Sequence, residues 1–199
     1  MKKFLHVGCG RATKANATAG FNTDAWQEIR FDIDPACSPD IVGTIVDMSG
    51  VADKSVDAIY SSHNIEHVFP HEVGQALNEF QRVLVDDGFI VLTCPDLQSV
   101  CEVVAKDKLL EPIYESPAGP IAPLDVLYGL RPALAAGNHY MAHKCGFTFS
   151  VLCKLFLSNG FKSVYGGRRP QAFDLWIVAF KQAKPEADMA AFAQGYLPQ

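Results

Sequence analysis

Four short polar stretches carry the residue types needed to hold a nucleoside. Gly8-Cys9-Gly10 is a Gly-x-Gly turn, in which the missing side chains let a ligand approach the backbone closely. Asp32 and Asp34 bring carboxylates, and a carboxylate can accept from both hydroxyls of a ribose at on the order of 1.5–3 kcal/mol per bond. Asp47, followed by Met48, is a third acid, and Ser61-Ser62-His63-Asn64 supplies hydroxyl, imidazole and amide groups. The glycine turn alone is equally a plain tight turn without a ligand. The later acidic stretches tip the reading toward an adenosine site.

A second group of residues has acid–base chemistry. His63, Glu66 and His67 stand close together, and His139 and His143 recur later with Tyr140, Met141 and Phe147 around them. Any of the five could serve as a base, against a structural or substrate-orienting role for each. His63, His67 and His71 are spaced four apart, which on a helix would align three metal ligands, but Pro70 interrupts the helix. His139, His143 and Cys145 form a similar set, better read as part of an acceptor pocket. No metal is expected.

These residues need a scaffold, and the apolar runs describe one. Lys3 to Val7 reads as a buried strand entering the glycine turn, followed by weakly patterned sequence with a short helix around Ala25 to Ile29. Further strands are expected from Ile29 to Asp34, Ile41 to Val46, Val56 to Ser61 and Phe89 to Cys94. Helical spacing of Val73, Ala76, Leu77, Phe80, Val83 and Leu84 predicts a helix from Glu72 that stops at Asp86-Asp87-Gly88. Other helices are expected over Leu97 to Lys106 and Thr148 to Asn159, where Leu152, Leu155 and Phe156 have core spacing. Closing strands follow at Phe161 to Tyr165 and Phe173 to Phe180, with Arg168-Arg169-Pro170 in the loop between. The polar, Ala-rich tail ends in a short helix or frays. Strands alternating with helices indicate an open, mainly parallel α/β sheet. In such sheets ligands lie beyond the carboxyl ends of the strands, where all four polar stretches fall.

The chain of 199 residues, 49% hydrophobic and 20% charged, suits one domain over 1–199. Prolines and glycines break up residues 108–146, which read as an inserted segment capping the substrate site. The net charge of −5 and pI near 5.6 argue against a general grip on nucleic acid and favour a small-molecule or protein partner. The apolar runs are too short for a membrane span. The apolar part of Met1 to Cys9 is too short for an export signal and is interrupted by His6. Six cysteines without a Cys-x-x-Cys pair fit reduced, partly buried thiols in a cytoplasmic protein.

Taken in order, Leu5 to Gly10, Asp32-Ile33-Asp34-Pro35, Asp47-Met48, Val56 through His67 and Glu79 to Gly88 resemble the successive motifs of the class I S-adenosylmethionine-dependent methyltransferases of the type 11 kind. The resemblance covers roughly the first 95 residues. It implies a Rossmann-like twisted sheet with an antiparallel final strand, S-adenosylmethionine as cofactor, and methyl transfer by alignment and desolvation of an unidentified acceptor. By the same resemblance His6, Gly8, Cys9 and Gly10 would face the methionyl part. Asp32 with Ile33 would bind the ribose, with Asp34 as the rival acid. Asp47 and Met48 would border the adenine, and Ser61, Ser62 and His63 would floor the sulfonium. His6 stands where the family often has an acid, and Ala12 where it often has a third glycine. Two competing readings are an NAD-type oxidoreductase, whose fingerprint is broken at Thr13, and a non-catalytic methyltransferase-like binding module.

Overall fold

A computed structural model describes residues 1–198. Its architecture follows from parallel strands held in near-perfect step. Strand β1 (Lys2–Val7) pairs in parallel with β2 (Trp26–Asp32) and β4 (Val56–Ser62), so that Val7 lies level with both Phe31 and Ser61. Strand β3 (Ile41–Val42) continues the sheet beyond β2, with Val42 opposite Asp32. The residues that follow these strands therefore emerge side by side along one edge.

Helix α1 (Val73–Val83) buries Val73, Ala76, Leu77, Phe80 and Val83, the stripe its spacing predicts, and leads directly into β5 (Leu84–Pro95). Asp86-Asp87-Gly88 is thus no helix stop. It lies inside a strand whose register shifts between Val56 and Ala58, a bulge that absorbs the extra residues. Helix α2 (Leu97–Val104) follows. Residues 108–146 hold the antiparallel hairpin β6 (Tyr114–Ser116) and β7 (Gly119–Ile121), then α3 (Pro123–Tyr128), α4 (Arg131–Ala135) and a 3-10 turn at His139–Met141. Helix α5 (Phe149–Ser158), β8 (Ser163–Arg169), β9 (Asp174–Phe180) and α6 (Glu186–Tyr196) complete the chain.

Among the described residues the main sheet has the order β3-β2-β1-β4-β5-β9-β8, and only β9 runs against its neighbours. This is the expected open sheet with an antiparallel final strand. Side chains alternate between its faces. Leu5, Val7 and Ile59 point into a core closed by α1 and α5, while Phe4, Ala58 and Tyr60 join an aromatic cluster on the other face. That second face is closed by Phe21, stacked 4.5 Å from Phe4, and by Phe192 and Tyr196 of α6.

Several boundaries differ from expectation. No helix forms at Ala25 to Ile29, because Trp26 pairs with Lys2 and starts β2 three residues early. Strand β3 stops at Val42, since Gly43 to Asp47 curls into a turn closed by a Thr44–Asp47 bridge. Arg168 and Arg169 lie in β8 instead of a loop. Arg168 donates to the fully buried Asp96 at 2.8 Å, and Arg169 grips Asp174 with two nitrogens at 2.6 and 2.9 Å. The one tight arginine pair is consumed internally.

Within residues 108–146, Asp125 is buried and accepts two bonds from the Arg131 guanidinium, at 2.7 and 2.9 Å. This grip overcomes burial and lowers the Asp125 pKa from 3.8 to about 2. A carboxyl depressed in the folded state contributes stability above its unfolded pKa and loses it as pH falls through the folded one. Asp125→Asn is therefore expected to cost about 1–3 kcal/mol at neutral pH. In urea unfolding the gap to wild type should close as pH drops from about 4 toward 2; a gap independent of pH would contradict this.

Candidate active site

At the strand-end edge, Gly8 and Gly10 adopt left-handed φ of +63° and +52°, which turns the chain sharply out of β1. Asp32, one step beyond Phe31, reaches across to this turn. Its Oδ2 accepts from the Gly10 N–H at 2.6 Å and its Oδ1 from the Asp34 N–H at 2.9 Å. Arg30 ties the same two loops from beneath, donating to the carbonyls of Gly10 and Ala12 on one side and Cys37 and Ser38 on the other. Asn64 packs against the bare face of Gly8, where a β-carbon would stand 2.5 Å from its side chain. Over Gly10 the space is open.

These elements bound a cleft of about 390 Å3. Gly8, Gly10, Asp32, Ile33 and Asp34 form one wall, Thr44, Ile45 and Val46 a second, and His63, Asn64 and His67 the floor. Asn138 to Met141 and Lys144 cover it from residues 108–146. Ile33 leaves an apolar side chain 43% exposed beside the Asp32 carboxylate, a pairing suited to a ligand with a flat apolar part and hydroxyls.

Of the sequence-selected residues, Gly8, Gly10, Asp32, Ile33, Asp34, His63, Asn64, His67, His139, Tyr140 and Met141 come together at the cleft. His6, Cys9, Asp47, Met48, Ser61, Ser62, Glu66, His143 and Phe147 do not line it. His6 points to the aromatic face, 5.1 Å from the Tyr60 ring, and donates from Nδ1 to Glu28 at 2.7 Å; burial lowers its pKa despite that carboxylate. Glu28 also accepts from the Lys14 N–H, and neither it nor His6 lines the cleft. Cys9 buries its thiol, whose pKa burial pushes up to about 11. Asp47 faces solvent and accepts from the Ser49 N–H, while Met48 is fully buried. Glu79 and Arg82 hold that loop: Glu79 accepts from the Met48 N–H, and Arg82 donates to the Met48 and Val51 carbonyls. Ser61 is fully buried, and neither it nor Ser62 reaches the cleft, whose floor Asn64 occupies instead. Phe147, expected beside the acceptor, is a core residue.

Glu66 and His143 line a smaller adjoining pocket. Glu66 is 1% exposed, with His63 Nδ1 3.4 Å from Oε1. Burial alone would raise its carboxyl, but His63, His67 and His143 around it reverse the sign and hold it below the ordinary range.

Sequence reasoning missed Thr44 to Val46, Asn138 and Lys144 as cleft residues, and none of them carried a signal.

Residues 5–92 match a family model described as a methyltransferase domain. A comparison with curated proteins gives no match. Among solved structures, the chain is similar to a SAM-dependent methyltransferase from Methanosarcina mazei, at 14% identity and TM-score 0.59, covering 92% of this chain and 93% of that one. A SAM-dependent methyltransferase from Archaeoglobus fulgidus gives 15%, 0.56, 90% and 86% in the same order. The Burkholderia thailandensis 1,6-didemethyltoxoflavin-N1-methyltransferase, solved with 1,6-didemethyltoxoflavin and S-adenosylhomocysteine bound, gives 17%, 0.55, 91% and 71%. At these identities the likeness establishes a shared fold.

The two glycines should respond differently to substitution. Gly8→Ala combines a left-handed β-carbon with the collision against Asn64 and is expected to cost about 2–4 kcal/mol. Gly10→Ala carries only the conformational term, about 1–2 kcal/mol. Urea denaturation of both variants checks the order.

Proposed function

We propose that this chain, whose residues 5–92 match a family model described as a methyltransferase domain, is an enzyme that transfers the methyl group of S-adenosylmethionine to a small-molecule acceptor. The observation that carries this is the Asp32 carboxylate, fixed by two backbone N–H groups at the rim of a cleft between parallel strand ends. Each of its oxygens keeps a lone pair for a ribose hydroxyl. The donor set fits the nucleoside: Ile33 and the Thr44 to Val46 wall offer apolar surface to the adenine, and the open space over Gly10 admits the methionyl backbone.

When bound, S-adenosylmethionine supplies a methyl group on a sulfonium, a leaving group that needs no protein acid. What remains for the chain is to orient and dehydrate the acceptor. Asn138 to Met141 and Lys144 lie over the mouth of the cleft and would exclude water there, so residues 108–146 act as a substrate cap. His63 and His139 line the cleft and are the candidates to take a proton from an acceptor that must lose one. His67 orients its neighbours, since its Nδ1–H is given to the Ala142 carbonyl at 3.0 Å.

A small-molecule acceptor is favoured over a protein because the cleft of about 390 Å3 is lined on one side by residues from 108–146, and over nucleic acid because Arg168 and Arg169 are paired internally. No helix of the described residues is long and apolar enough to cross a membrane. The six free thiols support a cytoplasmic location.

Calorimetric titration with S-adenosylhomocysteine is the test. Saturable binding is expected, weakened about 10- to 100-fold in Asp32→Ala and much less in Asp34→Ala. No binding at millimolar S-adenosylhomocysteine would overturn the reading, and the reverse order of the two variants would move the ribose site to Asp34.

A further inference from the structure

The search for chemistry outside the nucleoside cleft leads to the partition between it and the smaller pocket. There Glu66, His67 and His143 place one potential ligand atom each within 4.8 Å of one another. The three come from two segments joined by backbone bonds. Glu66 and His67 lie in the 3-10 turn after β4, and the Glu66 carbonyl accepts from the Lys144 N–H at 2.8 Å and the Cys145 N–H at 3.2 Å. Docking of the cap therefore brings His143 to Glu66.

The hydrogen bonds of this cluster are one-sided. His67 gives its Nδ1–H to the Ala142 carbonyl at 3.0 Å, and His143 gives its own to the Val126 carbonyl at 2.6 Å. In each ring this leaves Nε2 with a free lone pair. Both carboxylate oxygens of the buried Glu66 lack a well-formed hydrogen bond among the described residues, the 3.4 Å contact with His63 included. A buried carboxylate without donors is costly unless a cation or proton joins it, and the two part-buried imidazoles stand beside it. Imidazoles fixed through Nδ1–H to backbone carbonyls are also in the arrangement that orients metal-ligating histidines.

We propose that Glu66, His67 and His143 form a binding site for one divalent transition-metal ion of the zinc type. Two imidazole nitrogens and one carboxylate oxygen suit zinc, cobalt, manganese or ferrous iron better than magnesium or calcium, which prefer oxygen-only sets. Bonds of about 2.0–2.1 Å place ligand atoms roughly 3.3 Å apart, so the three groups would close in from their present spacing of up to 4.8 Å when an ion binds. With three protein ligands, the ion keeps a position open. His67 also lines the cleft, so the ion would stand in its wall and pin the cap to the sheet. This goes beyond the methyl-transfer reading and does not rest on it.

The test uses the 199-residue chain stripped of metal, without S-adenosylmethionine or its product. Titration with cobalt(II), followed by calorimetry and visible absorption, should show one ion per chain with ligand-field bands and no thiolate charge-transfer band. A hundredfold excess of zinc over its Kd should raise the melting temperature by about 5–10 °C. Glu66→Gln and His143→Ala should each weaken binding by more than about tenfold, whereas His71→Ala, at an exposed position outside the cluster, should not. If Glu66→Gln fails to fold, the partly exposed His143→Ala decides. The proposal is overturned by a wild-type protein that binds no cobalt or zinc at millimolar concentration, which would assign the lone pairs to a proton, or by affinity unchanged in His143→Ala.

Discussion

The Asp32 carboxylate bridges, from the cleft side, the two loops that leave β1 and β2, and this bridge shapes the rim of the cleft. One oxygen holds the glycine turn after β1, and the other holds the turn after β2. This reach is possible only because Val7 and Phe31 are level in the sheet, so the residues beyond them leave from adjacent points. A slip of one residue would turn the carboxylate to the opposite face. Arg30 reinforces the bridge by gathering carbonyls from both loops, which fixes backbone that no regular element supports.

The rest of the sheet can be understood as support for that edge. Its two faces are covered by unlike material: regular helices α1 and α5 on one, an aromatic cluster built by Phe21 and the C-terminal helix on the other. On the first face the Glu79–Arg82 pair clamps the loop after β3. That clamp takes both backbone groups of Met48, and the neighbouring Thr44 to Val46 is what faces the cleft.

Residues 108–146 join this scaffold through few bonds, chiefly those to the Glu66 carbonyl and the His67 ring. The same contacts confine a buried carboxylate among imidazoles. The floor of the cleft, the attachment of residues 142–145 and the surroundings of Glu66 thus share residues and backbone bonds.

The alternation of apolar runs and the 3.6-residue stripe of α1 made the parallel α/β class legible, because burial on one or both faces writes a period directly into the sequence. The ordered polar strand ends made the glycine turn, Asp32 and Ile33 legible for the same reason: each follows its strand immediately. Boundaries that depended on pairing, such as the early start of β2 and the bulge in β5, were hidden, since a partner strand and not local preference fixes them. His6 could not be assigned a face without knowing that Glu28 lies beside it, and Asp47 could not be separated from Thr44 without the turn at Gly43. The sequence alone determined the scaffold and the acid at the end of its second strand. Tertiary structure alone decided which side chains share the cleft and which surround Glu66, because contacts between residues some 75 positions apart leave no periodic trace in the chain.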